Sequence, residues 1–481
     1  MWRSQLKASS GYAIGNVARS AALVILTPYL INVLTPEDYG AWAYLEVVIV
    51  LLNMLMLAGL DIALMREYWV LDDEGDRSAL FGTILIGVIV WGGLPALALS
   101  AASAGVAGSL LPGPAGVGPW VFMIGWVESI LAAFLALFRI RENVLAYVLL
   151  SVGRMVLFMG LAIGWIQAGY GVSGGLAGRL VASLVILVIA LALVSRAGLI
   201  SVRWDGRLLK RGLRYGLPLL PANLAAYVLF ASDRYFLERL AGLESVAVYS
   251  FSYKAASILE MLITRPFAAD WAARRFKIAG EEDAPLRYSQ VLTLFSFAVV
   301  GFGLILLAVA PFLYRIFAPS IYWDGLRVVP LILGAYILFG LSYPLNVGIM
   351  LKDRTSYLPF IGWAAAGLCL ILNLVLIPRY GMFGAAWATI VAYSVNTAGI
   401  TWASLRIYRV PYSLRQVGLV LGFGGLGYLA LKLLGYTSPA SATLAGTVLI
   451  AGGVSLLTLG VGYLLWVDFR RSGLAWSEGG A

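Results

Sequence analysis

Apolar residues run along this chain in long blocks separated by short polar gaps, and about twenty such residues are what a helix needs to cross a bilayer core. The blocks fall at 10–34, 41–64, 80–102, 119–138, 144–166, 172–194, 217–238, 246–268, 291–313, 329–350, 358–377, 382–405, 417–434 and 442–466. They are too long and too unbroken for barrel strands, and a backbone in lipid must satisfy its own polar groups. The pattern predicts an all-α polytopic membrane protein with about fourteen transmembrane helices. The first two blocks are joined by Thr35-Pro36-Glu37-Asp38-Tyr39-Gly40, a turn in which Pro36 fixes φ and Gly40 leaves it free.

Composition agrees with the pattern. Of 481 residues, 61% are hydrophobic and 12% charged, whereas a soluble chain is nearer 45–50% apolar and 25% charged. The one cysteine, Cys369, lies in an apolar block, so no intrachain disulfide can form. The chain has no histidine, which excludes Ser-His triads, HExxH zinc sites and histidine proton relays. The first block is too long for a signal-peptide core and no A-x-A site follows it, so no cleavable signal peptide is expected.

The net charge of +10 invites a nucleic-acid partner, but its distribution argues against one. One alternating set of gaps holds most of the Lys and Arg, among them Arg66, Arg77, Arg139, Arg141, Arg203, Arg207, Lys210, Arg211, Arg274, Arg275, Lys277, Arg287, Arg406 and Arg470; the other set holds Arg239, Arg315, Arg327 and Arg379. The positive-inside rule then places both termini in the cytoplasm. The basic excess reflects topology and contact with anionic headgroups of membrane lipids.

The longest cytoplasmic gap, Ser195 to Gly216, is Arg-rich and reads as a link between two halves. A repeat supports that division. Gly169-Tyr170-Gly171-Val172-Ser173-Gly174 opens the sixth span and Arg379-Tyr380-Gly381-Met382-Phe383-Gly384 the twelfth. A weaker match pairs Leu34–Ala41 with Leu240–Ala247 at nearly the same offset. The expected organisation is a six-helix lobe over 1–194, a basic linker over 195–216, a second six-helix lobe over 217–410, and two extra helices with a cytoplasmic tail over 411–481. Six spans per copy give both lobes the same orientation, hence a pseudo-twofold axis along the membrane normal.

Several ionisable side chains fall inside the spans, where a charge costs about 2.5–3.5 kcal/mol at the bilayer centre. The cations are Arg19, Arg154, Arg179, Arg234, Lys254 and Arg265, with Lys432 near the outer end of its span. Arg19 and Arg154 sit about 14 Å from the cytoplasmic ends of their helices, and Arg179 and Lys254 about 10–12 Å from the outer ends. The acids are Glu46, Asp61, Glu128, Asp233, Glu260 and Asp270. Pairing between the two sets would hold helices together. The other reading is a shared aqueous cavity whose cations await an anion; the planar guanidinium fork suits phosphate. Arg19, Arg154, Arg179 and Lys254 favour the second reading, whereas Arg234 beside Asp233, and Arg265 with Asp270 or Glu260, stand evenly between the two. Gly160–Gly164 and Gly174–Gly178 match GxxxG and are read as helix packing.

Leu34-Thr-Pro-Glu-Asp-Tyr-Gly-Ala-Trp, then Leu57-Ala-Gly-Leu-Asp-Ile-Ala-Leu-Met-Arg66, resembles the first hairpin of Wzx-type polysaccharide flippases, members of the multidrug/oligosaccharidyl-lipid/polysaccharide (MOP) exporter superfamily. Ser232-Asp-Arg-Tyr-Phe-Leu with Val248-Tyr-Ser-Phe-Ser-Tyr-Lys254, and Arg379-Tyr-Gly-Met-Phe-Gly-Ala-Ala, resemble their second half. The resemblance implies a V-shaped pair of lobes, alternating access, and transfer of a polyprenyl-diphosphate-linked glycan across the bacterial inner membrane. It also implies a cavity lined by spans one, two, seven and eight, and other polysaccharide-assembly proteins as partners. The expected cargo-binding residues are Arg19, Arg154, Arg179, Lys254, Arg234 and Arg265. A proton- or sodium-coupled cycle would use Asp61 or Glu128, with Glu46 and Glu260 as further candidates. No metal, cofactor or catalytic group is expected. The alternatives are a peptidoglycan-precursor flippase, a drug/cation antiporter whose cavity should be acidic, and, from another class, a membrane glycan polymerase or ligase. An enzyme of that last kind needs a large outer loop with catalytic groups, and the longest outer gap, Ser103 to Gly118, has no ionisable residue.

Overall fold

The computed structural model describes residues 26–103, 111–114, 116–201, 203–435 and 438–471, and all regular structure among them is helical. Helical residues 26–33 lead into α1 (Pro36–Leu57), α2 (Leu60–Glu67), α3 (Glu74–Ala102), α4 (Val117–Ile140), α5 (Val144–Trp165), α6 (Gly171–Arg196), α7 (Gly206–Gly216) and α8 (Leu220–Leu259). Then come α9 (Arg265–Ile278), α10 (Ala284–Phe317), α11 (Val329–Leu345), α12 (Val347–Leu351), α13 (Tyr357–Tyr380), α14 (Met382–Ile407), α15 (Leu414–Leu433) and α16 (Leu444–Arg471).

Among the described residues, ten continuous helical runs are long and apolar enough to cross a membrane. Two of them, Val144–Arg196 and Gly206–Ile278, each contain two of the spans read from the sequence. Span 10–34 begins outside the described residues. Span 382–405 is α14, which carries Thr389, Ser394, Asn396 and Thr397 and is less apolar by composition. The chain is a multi-pass membrane protein.

Helix starts follow the local chemistry. The Thr35 hydroxyl caps α1 by accepting from the Asp38 amide, with Pro36 in the first turn. Asp73 caps α3 and Asn143 caps α5 in the same way. The uninterrupted span expected over 41–64 is broken: Ala58 (φ 50) and Gly59 (φ 72) turn left-handed and separate α1 from α2. Packing explains the break. A Cβ on Gly59 would lie 2.6 Å from the Gly216 carbonyl oxygen, and one on Gly216 would lie 2.7 Å from that of Gly59. Two glycines meeting back to back override the apolar pattern.

The chain divides into two compact units, Met1–Ala247 and Val248–Ala481, parted within α8 just beyond Gly242 (φ 82). The basic stretch 195–216 belongs to the first unit, and its described residues bond and pack within it. Thr83 donates to the Arg203 carbonyl (3.0 Å) and accepts from the Asp205 amide (3.2 Å), and Asp205 then caps α7. Leu208, Leu209 and Leu213 pack on the core beneath, while Arg207, Lys210, Arg211 and Arg214 are exposed. That spacing makes α7 an interfacial amphipathic helix. In the second unit α15 and α16 pack on α10: Gly424 and Gly427 admit Val300 and Leu304, and Gly301 admits Thr458.

Candidate functional site

The first unit gathers three of the intramembrane charges. Glu128 lies near the middle of α4, Arg154 ten residues into α5 and Arg179 eight residues into α6. At about 1.5 Å per residue these depths match closely enough for the side chains to meet. Arg179 grips the carboxylate with two donors, Nε to Oε1 at 2.8 Å and Nη2 to Oε2 at 2.9 Å. Arg154 Nη1 donates to the same Oε1 at 2.6 Å. The Ser183 hydroxyl, one turn beyond Arg179, donates to it at 3.4 Å.

Small residues let these helices close. A Cβ on Gly178 would sit 2.9 Å from the Ala162 amide nitrogen, so α6 touches the α5 backbone at the residue just before Arg179. Trp42 of α1 stacks on Phe158 of α5, with ring centroids 6.1 Å apart, and fills the notch left by Gly175. Glu46, one turn further along α1, is within electrostatic reach of Arg179.

One carboxylate serves two guanidinium groups, so the trio keeps a net positive charge at hydrocarbon depth. It is not sealed: the Arg154, Arg179 and Glu128 side chains are 19%, 14% and 11% exposed. Arg154 Nε is buried and has no hydrogen-bond partner among the described residues. Such a cluster can take an anion, because each guanidinium keeps N–H donors beyond those spent on Glu128.

The other expected residues are placed separately. Arg19 lies outside the described residues. Arg234 is held by Asp233 (Nη1 to Oδ1, 2.9 Å), donates to the Phe230 carbonyl, and is 6% exposed against 2% for its partner. Arg265 pairs with Glu260 at 3.1 Å across a π-helical turn, Glu260–Thr264, while Asp270 pairs with Arg274 instead. Lys254 is half-buried in the second unit and is not without a partner. Asp61 sits half-buried in the first turn of α2, just past the Gly59 break. No group of acids, cysteines or histidines among the described residues could hold a metal ion.

Sequence reasoning missed Ser183, although its place four residues after Arg179 puts it on the same helix face. It also missed that Glu128 serves two arginines. Only the rotation of three helices about their axes decides that.

Residues 6–270 match the family model described as polysaccharide biosynthesis protein. No curated protein matches the chain by sequence. The fold is shared with solved transporters. A structure of the lipid II flippase MurJ, in an inward closed conformation, superposes with a TM-score of 0.75 at 10% identity, covering 96% of this chain and all of that one. An inward-facing multidrug resistance MATE family transporter of the MOP superfamily gives 0.58 at 17% identity, over 83% of this chain and 98% of that one. An outward-facing transporter of the same kind gives 0.57 at 15%, over 85% and 97%.

Proposed function

The chain belongs to the polysaccharide biosynthesis protein family, and from that premise we propose that it is a flippase for an anionic, polyprenyl-diphosphate-linked glycan. The observation that carries the reading is the Arg154–Glu128–Arg179 trio, two cations on one acid at mid-membrane depth. A diphosphate crossing a low-dielectric core needs a counter-charge, and the two arginines of the trio supply it. In this reading Arg19 and Lys254 also bind the cargo, the polyprenyl tail stays in lipid, and Arg234 and Arg265 serve chiefly their own acids. A cationic drug substrate would meet the wrong sign of charge here.

The protein acts in the bacterial inner membrane with both termini cytoplasmic, and hands its cargo to other polysaccharide-assembly proteins. Coupling to a proton or sodium gradient falls to Asp61, because Glu128 is already committed to two arginines. The test is complementation of a strain lacking the gene. Arg154→Gln and Arg179→Gln should insert normally yet leave the lipid-linked glycan on the cytoplasmic face. Wild-type export by both variants would overturn the reading.

A further inference from the structure

The cytoplasmic side of the first unit holds a second cationic cluster, on elements that the mid-membrane trio does not use. The end of α2 and the exposed side of α7 enclose a cavity of about 430 Å³ lined by Arg66, Glu67, Val70, Arg211, Arg214 and Tyr215. Glu67 is buried and pairs with Arg211 at 3.4 Å. The Arg66 guanidinium lies over the Tyr215 ring, 4.3 Å from its centroid. Arg214 has no ion pair among the described residues. Three cations and one acid leave two positive charges lining one open cavity, a lining that an anion would neutralise.

The surroundings say what kind of anion. Trp69 and Val70 beside the cavity are each 62% exposed, and Trp204 stands exposed just before α7. Exposed tryptophans next to arginines mark the depth of lipid headgroups. We propose that this cavity binds the phosphate headgroup of a lipid in the cytoplasmic leaflet, with Arg66 and Arg214 as its principal donors and Tyr215 positioning Arg66. The site joins two segments that end in the glycine contact, since Gly59 immediately precedes α2 and α7 ends at Gly216. A headgroup bridging Arg66 and Arg214 therefore clamps that contact.

The inference stands apart from transport and is read by lipid retention on the purified full-length protein, using native mass spectrometry. The probes are phosphatidylglycerol, phosphatidylcholine and a polyprenyl diphosphate. Retention of either anionic lipid but not phosphatidylcholine is expected. Arg66→Gln with Arg214→Gln should weaken retention at least about tenfold. Lys277→Gln, on the cytoplasmic side of the other unit, should leave it unchanged. Preference for phosphatidylglycerol identifies a resident membrane lipid, and preference for the diphosphate identifies a loading site for cargo. Should the double variant misfold, Arg214→Gln alone serves, because it breaks no ion pair of the described residues. Failure to retain any anionic lipid, or equal retention by the variants, overturns the proposal.

Discussion

Gly171 and Gly381 hold the same backbone conformation, φ 51 and ψ −136 in one, φ 53 and ψ −131 in the other. They occupy matching places in the Gly-Tyr-Gly and Arg-Tyr-Gly stretches that mark the internal repeat, and each opens a helix. Three residues on, Gly174 and Gly384 each press against the end of the preceding helix, at Tyr170 and Trp165 in one case and at the Leu376 carbonyl in the other. The repeat in the sequence is thus a repeat of one tight helix–helix corner. Only glycine accepts those dihedrals without strain.

A first prediction follows from that equality. Neither Gly171 nor Gly381 has any atom within 4 Å of a would-be Cβ, so substitution costs backbone strain alone. Gly171→Ala and Gly381→Ala should each lower stability by about 1–3 kcal/mol, and by similar amounts. Thermal unfolding of the purified variants, followed by size-exclusion chromatography, measures this. A large loss in one and none in the other would show that the two corners are not equivalent.

The two GxxxG matches should behave differently. Gly160 and Gly164 face open space, whereas Gly174 and Gly178 lie under 3 Å from a neighbouring atom once a Cβ is added. Gly178→Ala should destabilise by about 1–3 kcal/mol through forced separation of α5 and α6. Gly160→Ala should be neutral, or stabilising by up to about 1 kcal/mol from helix propensity. The same unfolding measurement ranks them, and the reverse order would contradict the packing described.

Charge arithmetic within the trio gives a third. Arg154→Gln keeps the two-donor grip of Arg179 on Glu128 and removes the net charge, so the fold should survive while glycan export falls. Glu128→Gln leaves two like charges facing each other at mid-membrane and should cost about 3–5 kcal/mol, seen as poor yield and early unfolding. Adding Arg154→Gln to Glu128→Gln should recover part of that stability but not export. Stability of Glu128→Gln equal to wild type would show that the arginines do not depend on it.

The Asp233–Arg234 pair supplies the fourth. Both side chains are sealed, so Asp233→Asn removes the charge partner of a buried guanidinium and should cost about 3–5 kcal/mol. The double variant Asp233→Asn, Arg234→Gln should be more stable than Asp233→Asn alone. Expression level and unfolding temperature decide it. Full stability of Asp233→Asn would mean that Arg234 relies on other neighbours, and its assignment to its own acid would fail.

Along-chain properties were readable without the fold. Membrane insertion depends on the hydropathy of each contiguous block and on the charges at its ends, so the sequence alone determined an all-helical, multi-pass protein and where nearly every span lies. The Gly-Tyr-Gly repeat was also legible, because a glycine-only corner leaves a fixed signature. Tertiary structure decided whatever depends on which residues meet. Glu128 and Arg179 are 51 positions apart, and only the rotation and spacing of α4, α5 and α6 join them with Arg154. The break at Ala58–Gly59 comes from a backbone contact with Gly216, which no local pattern encodes. The basic stretch that reads as a linker folds against α2 and α3 because Leu208, Leu209 and Leu213 share one helix face, and it is that docking which brings Arg66, Arg211 and Arg214 around one cavity. Hydropathy is summed along the chain, whereas a binding site is assembled across it, so the one was written in the sequence and the other was set by packing.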